Sequence, residues 1–311
     1  MHPFVRTVTA VGALGAAGLG YASLIERNAF TVRRFTLPIL PVGADPIRVV
    51  QMTDMHLVPG QERKVAWVRR LAELEPDLVV NTGDNLAHMR AVPVAERALE
   101  PLYGVPGVFA MGSNDYFAPF LKNPARYLKA DPRAPMAARP MLPVADLIES
   151  FTRRAGWLDL NNARGELTIK GLRIEFVGVD DPHLDRDTYD VVAGPRSAEA
   201  DLFLGVCHAP YTRVLDAMAK DEVDVIIAGH THGGQLCVPF YGALVTNCDL
   251  DRRRAKGVSR WWPGANGVPS TRGPADAAYL HVSAGLGTSP FAPVRFACRP
   301  EASLLTLVPR G

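Results

Sequence analysis

Two imidazoles two residues apart on a glycine-rich turn, Gly229-His230-Thr231-His232-Gly233-Gly234-Gln235, are the strongest chemical signal in this 311-residue chain. The turn follows an apolar run, Val223 to Ala228, and can aim both rings into one cleft. Four other clusters also stand where a hydrophobic run ends: Asp54-x-His56, Gly83-Asp84-Asn85, Gly112-Ser113-Asn114-Asp115 and Cys207-His208-Ala209-Pro210. A lone His-x-His or a lone Gly-Asp turn is more often structural than metallic. Together these clusters point to one convergent site. A pair of divalent transition ions takes imidazole nitrogens, carboxylate oxygens and an occasional carbonyl, with one carboxylate able to touch both ions. This set supplies all of them.

The elements that must position these groups are short. Ile47 to Met52, Leu78 to Asn81, Val108 to Met111, Leu202 to Cys207 and Val223 to Ala228 are rich in Val, Ile and Leu and read as strands buried on both faces. Side chains at the C-terminal ends of such strands converge on one edge of an α/β sheet, where open α/β proteins bind ligands. Helix-like stretches around 62–74 and 94–102 follow the first two strands, which predicts a βαβαβ start with parallel pairing. Residues 144–155 read as a helix, and 166–177, broken at Gly171, as a β-hairpin.

In this order, D-x-H, G-D-N, a segment like G-N-H-D, a lone His and then G-H-T-H, the chain resembles the calcineurin-like metallophosphoesterase superfamily. The GHTHGGQ ending, Ser283-Ala284-Gly285-Leu286-Gly287-Thr288-Ser289, Arg295 and Arg299-Pro300-Glu301 narrow the resemblance to its bacterial membrane-associated or exported branch. The resemblance runs from roughly residue 45 to 308. It implies a four-layer α-β-β-α sandwich of two mixed sheets. It also implies two divalent cations, Mn, Fe or Zn, one held by Asp54, His56 and His232 and the other by Asn114, His208 and His230, with Asp84 bridging. The implied reaction is hydrolysis of a phosphate ester or pyrophosphate by hydroxide generated between the two cations. The competing reading is a metal-stabilised binding module at the membrane that does not catalyse.

One departure from the family pattern bears on mechanism. Where the family has G-N-H-D, this chain has Gly112-Ser113-Asn114-Asp115. Either Ser113 replaces the ligand and Asn114 the acid, or the turn shifts so that Asn114 reaches the metal and Asp115 replaces the histidine. The second register is favoured, because an amide carbonyl is the better donor. In both, the general-acid imidazole is missing, and an Asn cannot protonate a leaving group. His88, four residues past Asp84, is the replacement expected at the site. His183, in Asp180-Asp181-Pro182-His183, is a weaker candidate, and His281 reads as structural.

The size of the chain and its 48 per cent hydrophobic content suit one large core, so a single catalytic domain is expected over residues 47–311. The formal charge of +2 is too near zero to suggest bulk nucleic-acid binding. No charged residue occurs from Thr7 to Ile25, so residues 1–26 read as an anchor or signal segment for the cell membrane or for export. Charges flank that segment on both sides, so its orientation stays open. Residues 27–46 read as a linker or an edge strand. The proline-rich, aromatic and basic segment 116–143 leaves a ligand-bearing turn and reads either as a lid or as a solvated, structurally idle insertion. Basic residues 252–254, Lys256 and Arg260 beside Trp261-Trp262 suit a membrane interface. A phosphorylated, lipid-linked substrate is the partner these features favour.

Overall fold

The computed structural model describes residues 3–121, 139–267, 269–270 and 272–310. One sheet contains β1 (Thr31–Leu40), β2 (Ile47–Met52), β3 (Leu78–Asn81), β4 (Gly107–Phe109), β5 (Leu158–Asp159) and the C-terminal β14 (Glu301–Pro309). Its order is β1-β14-β2-β3-β4-β5, with β2 antiparallel to β14 and every other pair parallel. The other contains β6 (Ala163–Ile169), β7 (Leu172–Gly178), β8 (Leu202–Val206), β9 (Val225–Ala228), β12 (Gly257–Trp261) and β13 (Ala278–Val282), in the order β12-β13-β9-β8-β7-β6. A small hairpin, β10 (Cys237–Val238) with β11 (Gly242–Ala243), stands apart.

The four expected layers follow from residues that alternate along these strands. Val49, Leu78, Val80 and Val108 of the first sheet pack on Ile174, Leu204, Val206, Val225 and Ile227 of the second. Their neighbours Val50, Val79 and Phe109 point the other way. They pack under α2 (Glu62–Arg69), α3 (Val92–Leu99) and α5 (Val144–Glu149) through Val68, Ala95 and Leu147. On the far side, Phe203 and Ile226 meet Val214, Leu215 and Met218 of α6 (Thr212–Lys220). Each central strand is therefore buried on both faces, which is why it reads as a continuous apolar run.

Several expectations are refined. Of the two readings of 27–46, the strand is observed: β1 pairs along β14, and Pro38, which lacks an N–H, is tolerated because β1 is an edge strand. The hairpin β6–β7 turns at Lys170 and Gly171, both with positive φ, as a two-residue turn requires. Within segment 116–143, Phe117 pairs with Met141, while residues 122–138, with Lys122, Arg126, Lys129 and Arg133, lie outside the described residues. Trp261 is buried with its indole N–H on Asp216, and Arg254 is buried with its guanidinium on the carbonyls of Ala265 and Gly267. Neither faces a membrane, because each satisfies its polar end inside the fold.

The N-terminal segment forms α1 (Pro3–Gly20), extended by single turns to Asn28. Among the described residues, no helix is long and apolar enough to cross a membrane. The segment expected as an anchor or signal is thus helical from Pro3. Glycines at 12, 15, 18 and 20 dilute the apolar content of a helix only 18 residues long.

Candidate metal centre

All five clusters converge at the strand ends, where tight turns force side chains back over the sheet edges. Asp54, His56, Asp84, His230 and His232 all have positive φ, a conformation that non-glycine residues adopt only under local constraint. Asp54 and His56 follow β2, Asp84 follows β3, and Asn114 lies in α4 (Ser113–Tyr116) after β4. His208 follows β8, and His230 and His232 follow β9. One sheet thus supplies the carboxylates and one imidazole, the other three imidazoles.

Asp84 occupies the centre. Its Oδ2 lies 3.6 Å from His56 Nε2 and its Oδ1 3.5 Å from His208 Nε2, so each oxygen faces a different imidazole group. On the first side, His56 Nε2 and His232 Nε2 are 3.2 Å apart, and Asp54 Oδ1 is 3.3 Å from His232 Nε2. The ligand atoms of Asp54, His56, Asp84 and His232 lie within 4.8 Å of one another. On the second side, His208 Nε2 is 3.3 Å from His230 Nδ1.

Surrounding groups fix how each ligand points. Asp54 Oδ2 accepts from Thr53 Oγ1 and from the backbone N–H of His230. Its Oδ1 is buried with no hydrogen-bond partner and faces His232. A carbonyl can only accept, so His208 Nδ1 must donate to Thr82 O and His230 Nε2 to Asn247 O. His232 Nδ1 faces Gly287 O in the same way. In the neutral rings the opposite nitrogens are acceptors turned toward one another; without a cation, and against the effect of burial, Asp84 and Asp54 draw His208 well above its ordinary value, so its Nε2 holds a proton that a cation would displace. Facing imidazole lone pairs beside an orphan carboxylate oxygen are what a divalent cation would satisfy, so this donor set fits the metals that the family resemblance implies.

Electrostatics agree. Burial pushes Asp54 up to about 6, reinforced by Asp84 and opposed by His208. Burial raises Asp84 too, but the imidazoles of His208 and His56 and the backbone N–H of Asn114 outweigh it, holding its carboxyl well below the usual range. Burial lowers His56 to about 4 against the pull of Asp84, and lowers His232 well below its ordinary value. Both rings are therefore neutral near pH 7, the form that binds metal.

The Ser113-Asn114-Asp115 turn is resolved in part. Asn114 reaches the cluster through Asp84, donating its backbone N–H to Oδ1 at 2.7 Å and its side-chain Nδ2 to Oδ2 at 2.6 Å. Among the described residues, the hydrogen bond of Ser113 Oγ is to Asn114 Nδ2, at 3.4 Å. Asp115 cannot take the place of the acid histidine. It is fully buried and accepts from the backbone N–H groups of Asp84, Asn85, Leu86 and Gly112. That side chain pins the Asp84 turn to the Asn114 turn.

His88 is not brought to the site. Its Nδ1 accepts from the backbone N–H of Arg90, and among the described residues it makes no hydrogen bond or ring contact to the cluster. His183, the weaker expectation, is there instead. Its ring lies 4.6 Å from that of His230 and its Nδ1 is 3.0 Å from Tyr211 Oη. The signal was its place just after β7, a strand-end position like those of the ligands. Asp181 and Arg295 were missed as site residues. Asp181 is fully buried with Oδ2 unpartnered, and burial pushes it up to about 8. Arg295 is buried and ties the carbonyls of Ala284, Gly285 and Gly287 behind His232.

The chain is 28% identical to the uncharacterized metallophosphoesterase YkuE of Bacillus subtilis, over 96% of this chain and 93% of that protein. It is 27% identical to an uncharacterized metallophosphoesterase of Aquifex aeolicus, over 94% and 97%. It is 26% identical to the phosphodiesterase YaeI of Escherichia coli, over 96% of each. A family model for calcineurin-like phosphoesterases matches residues 47–234, which contain every candidate ligand from Asp54 to His232. The match covers more than half of the chain, and the protein is therefore a member of the calcineurin-like phosphoesterase family, hydrolases of phosphoric ester bonds that use a dinuclear divalent metal centre.

Proposed function

We propose that the protein hydrolyses phosphate esters or pyrophosphates whose leaving group needs no proton from the Asn114 position, where the family has its acid histidine. In this reading Asp54, His56 and His232 hold one cation, His208, His230 and Asn114 the other, and Asp84 both. The observation that carries it is the division of Asp84, one oxygen toward His56 and one toward His208. Two cations held there supply positive charge beside the phosphoryl oxygens and make a nearby water more acidic. Thr82 and Asn247 hold His208 and His230 in fixed tautomers, and Asp115 keeps the two acidic turns in register. Asn114, beside Asp84, has no proton to give a leaving alkoxide.

The test is a hydrolysis screen with Mn²⁺ across aryl and alkyl monoesters, diesters, nucleotides, pyrophosphates and phospholipids. The expected result is metal-dependent turnover that rises steeply as the leaving group becomes more acidic, since general-acid help is worth about 10² to 10⁴-fold. Equal rates for alkyl and aryl esters would mean that a proton donor is present after all. Absence of metal-dependent turnover would leave a binding module. Phospholipids and lipid-linked pyrophosphates belong in the screen because the hairpin just past His232 exposes Val238, Phe240 and Tyr241. Those residues support a lipid-linked substrate as the finer reading.

A further inference from the structure

Exposed apolar side chains of this chain are concentrated where its N-terminal helix meets the loops beyond the metal centre. Leu236, Val238, Tyr241, Leu244 and Phe291 are exposed, and Phe240, at the tip of the β10–β11 hairpin, is fully so. Phe240 has φ of 67°, a conformation that favours glycine, so this ring is held out of the fold at a cost in backbone strain and without burial in return. The hairpin is not isolated. Leu236 bridges to Phe296, and the ring of Phe296 meets that of Tyr21, 6.4 Å away at the end of the N-terminal helical segment. Glu26 accepts from the backbone N–H groups of Ala297 and Cys298, and Ala22 O accepts from Arg295 N, which fixes that segment to the same loop.

Two further features say what covers this face. Gly12 to Ala17 are exposed at every position and Leu19 and Leu24 are exposed as well, so from Gly12 to Leu19 the helix presents small and apolar residues to its surroundings. A helix that is apolar all round is taken up by protein or lipid rather than left in water. Beside the hairpin, a groove of about 490 Å³ is lined by Phe240 and Tyr241 together with Arg252, Arg253 and Lys256. The Arg252 guanidinium lies 3.7 Å from the centre of the Tyr241 ring. Aromatic rings flanked by cations are the composition of a surface lodged at anionic headgroups.

We propose that the hairpin tip, the Phe291–Phe296 loop and α1 form one docking face for an anionic lipid bilayer, entered from one side rather than spanned. The full chain should float with vesicles of phosphatidylcholine containing phosphatidylglycerol, less with phosphatidylcholine alone, and less as salt rises. Phe240→Ser should lower vesicle binding about tenfold or more, the scale of leaving one phenyl ring in water. Backbone hydrogen exchange of the wild-type chain at 236–244 should slow when vesicles are added, a readout that needs no variant. Unchanged exchange there with the protein bound to vesicles would overturn the proposal, since α1 alone would then hold the membrane. So would protection that grows with protein concentration in the absence of vesicles, which would make this face a contact between copies.

Discussion

At the scale of single residues, two aspartates 31 positions apart divide the work of the site. Asp84 is turned to the imidazoles from both sheets, while Asp115 spends both oxygens on backbone N–H groups. Replacing them should have opposite consequences. Asp84→Asn should keep its secondary structure but lose metal occupancy and at least about 10²-fold in turnover, as removal of ligand-sphere groups does. Asp115→Ala strands several buried donors and should cost about 3 kcal/mol of stability. Denaturant unfolding paired with metal analysis separates the two. Normal metal content in Asp84→Asn would remove it from the ligand set, and unchanged stability of Asp115→Ala would deny its pinning role.

At the scale of elements, each turn is legible to the extent that burial writes a pattern into the sequence. β2, β3, β8 and β9 are buried at nearly every position, so they read as apolar runs, and the residues that follow them are the ligands. β1 carries Arg33, Arg34 and Pro38 because it lies at an edge, and that polarity blurs its strand character. For His183 the strand-end position was legible but its neighbour was not. Its approach to His230 depends on how β7 and β9 line up across β8, which no local spacing encodes. Close approach of turns is equally invisible from spacing alone. A Cβ on Gly112 would collide with Asp84 Oδ1 and come within 2.8 Å of His208 Cε1, although its backbone conformation is ordinary. Gly112→Ala should therefore cost about 1 to 3 kcal/mol by overpacking and also reduce bound metal, because it displaces two candidate ligands together. A thermal melt and metal content both equal to wild type would show that these turns have slack.

At the scale of the whole molecule, the candidate ligands come from two sheets whose contact is mostly apolar, Gln51 on the Ala228 carbonyl aside, so bound metal would tie the layers together. Chelation should lower the melting temperature by about 5 °C or more, given metal well above its dissociation constant. No shift on chelation would mean that the sheets stand without the metals. Acid should act on the sandwich through His281, which lies outside the site. Its ring is fully buried on β13 near Phe35, and neither nitrogen makes a well-formed hydrogen bond. Burial, slightly offset by the backbone of Gly257, pushes it down from 6.5 to about 4. Above pH 6.5 the ring is neutral in both folded and unfolded chains and costs nothing. As pH falls toward about 4, the unfolded chain takes up the proton and the folded one does not, so stability drops by about 3 kcal/mol over that window. His281→Leu should reduce this slope, leaving the part that the buried His56 and His232 rings contribute, with stability near pH 8 little changed. Measured in chelated protein, so that metal loss does not contribute, an unaltered slope in the variant would place the acid-sensitive group elsewhere.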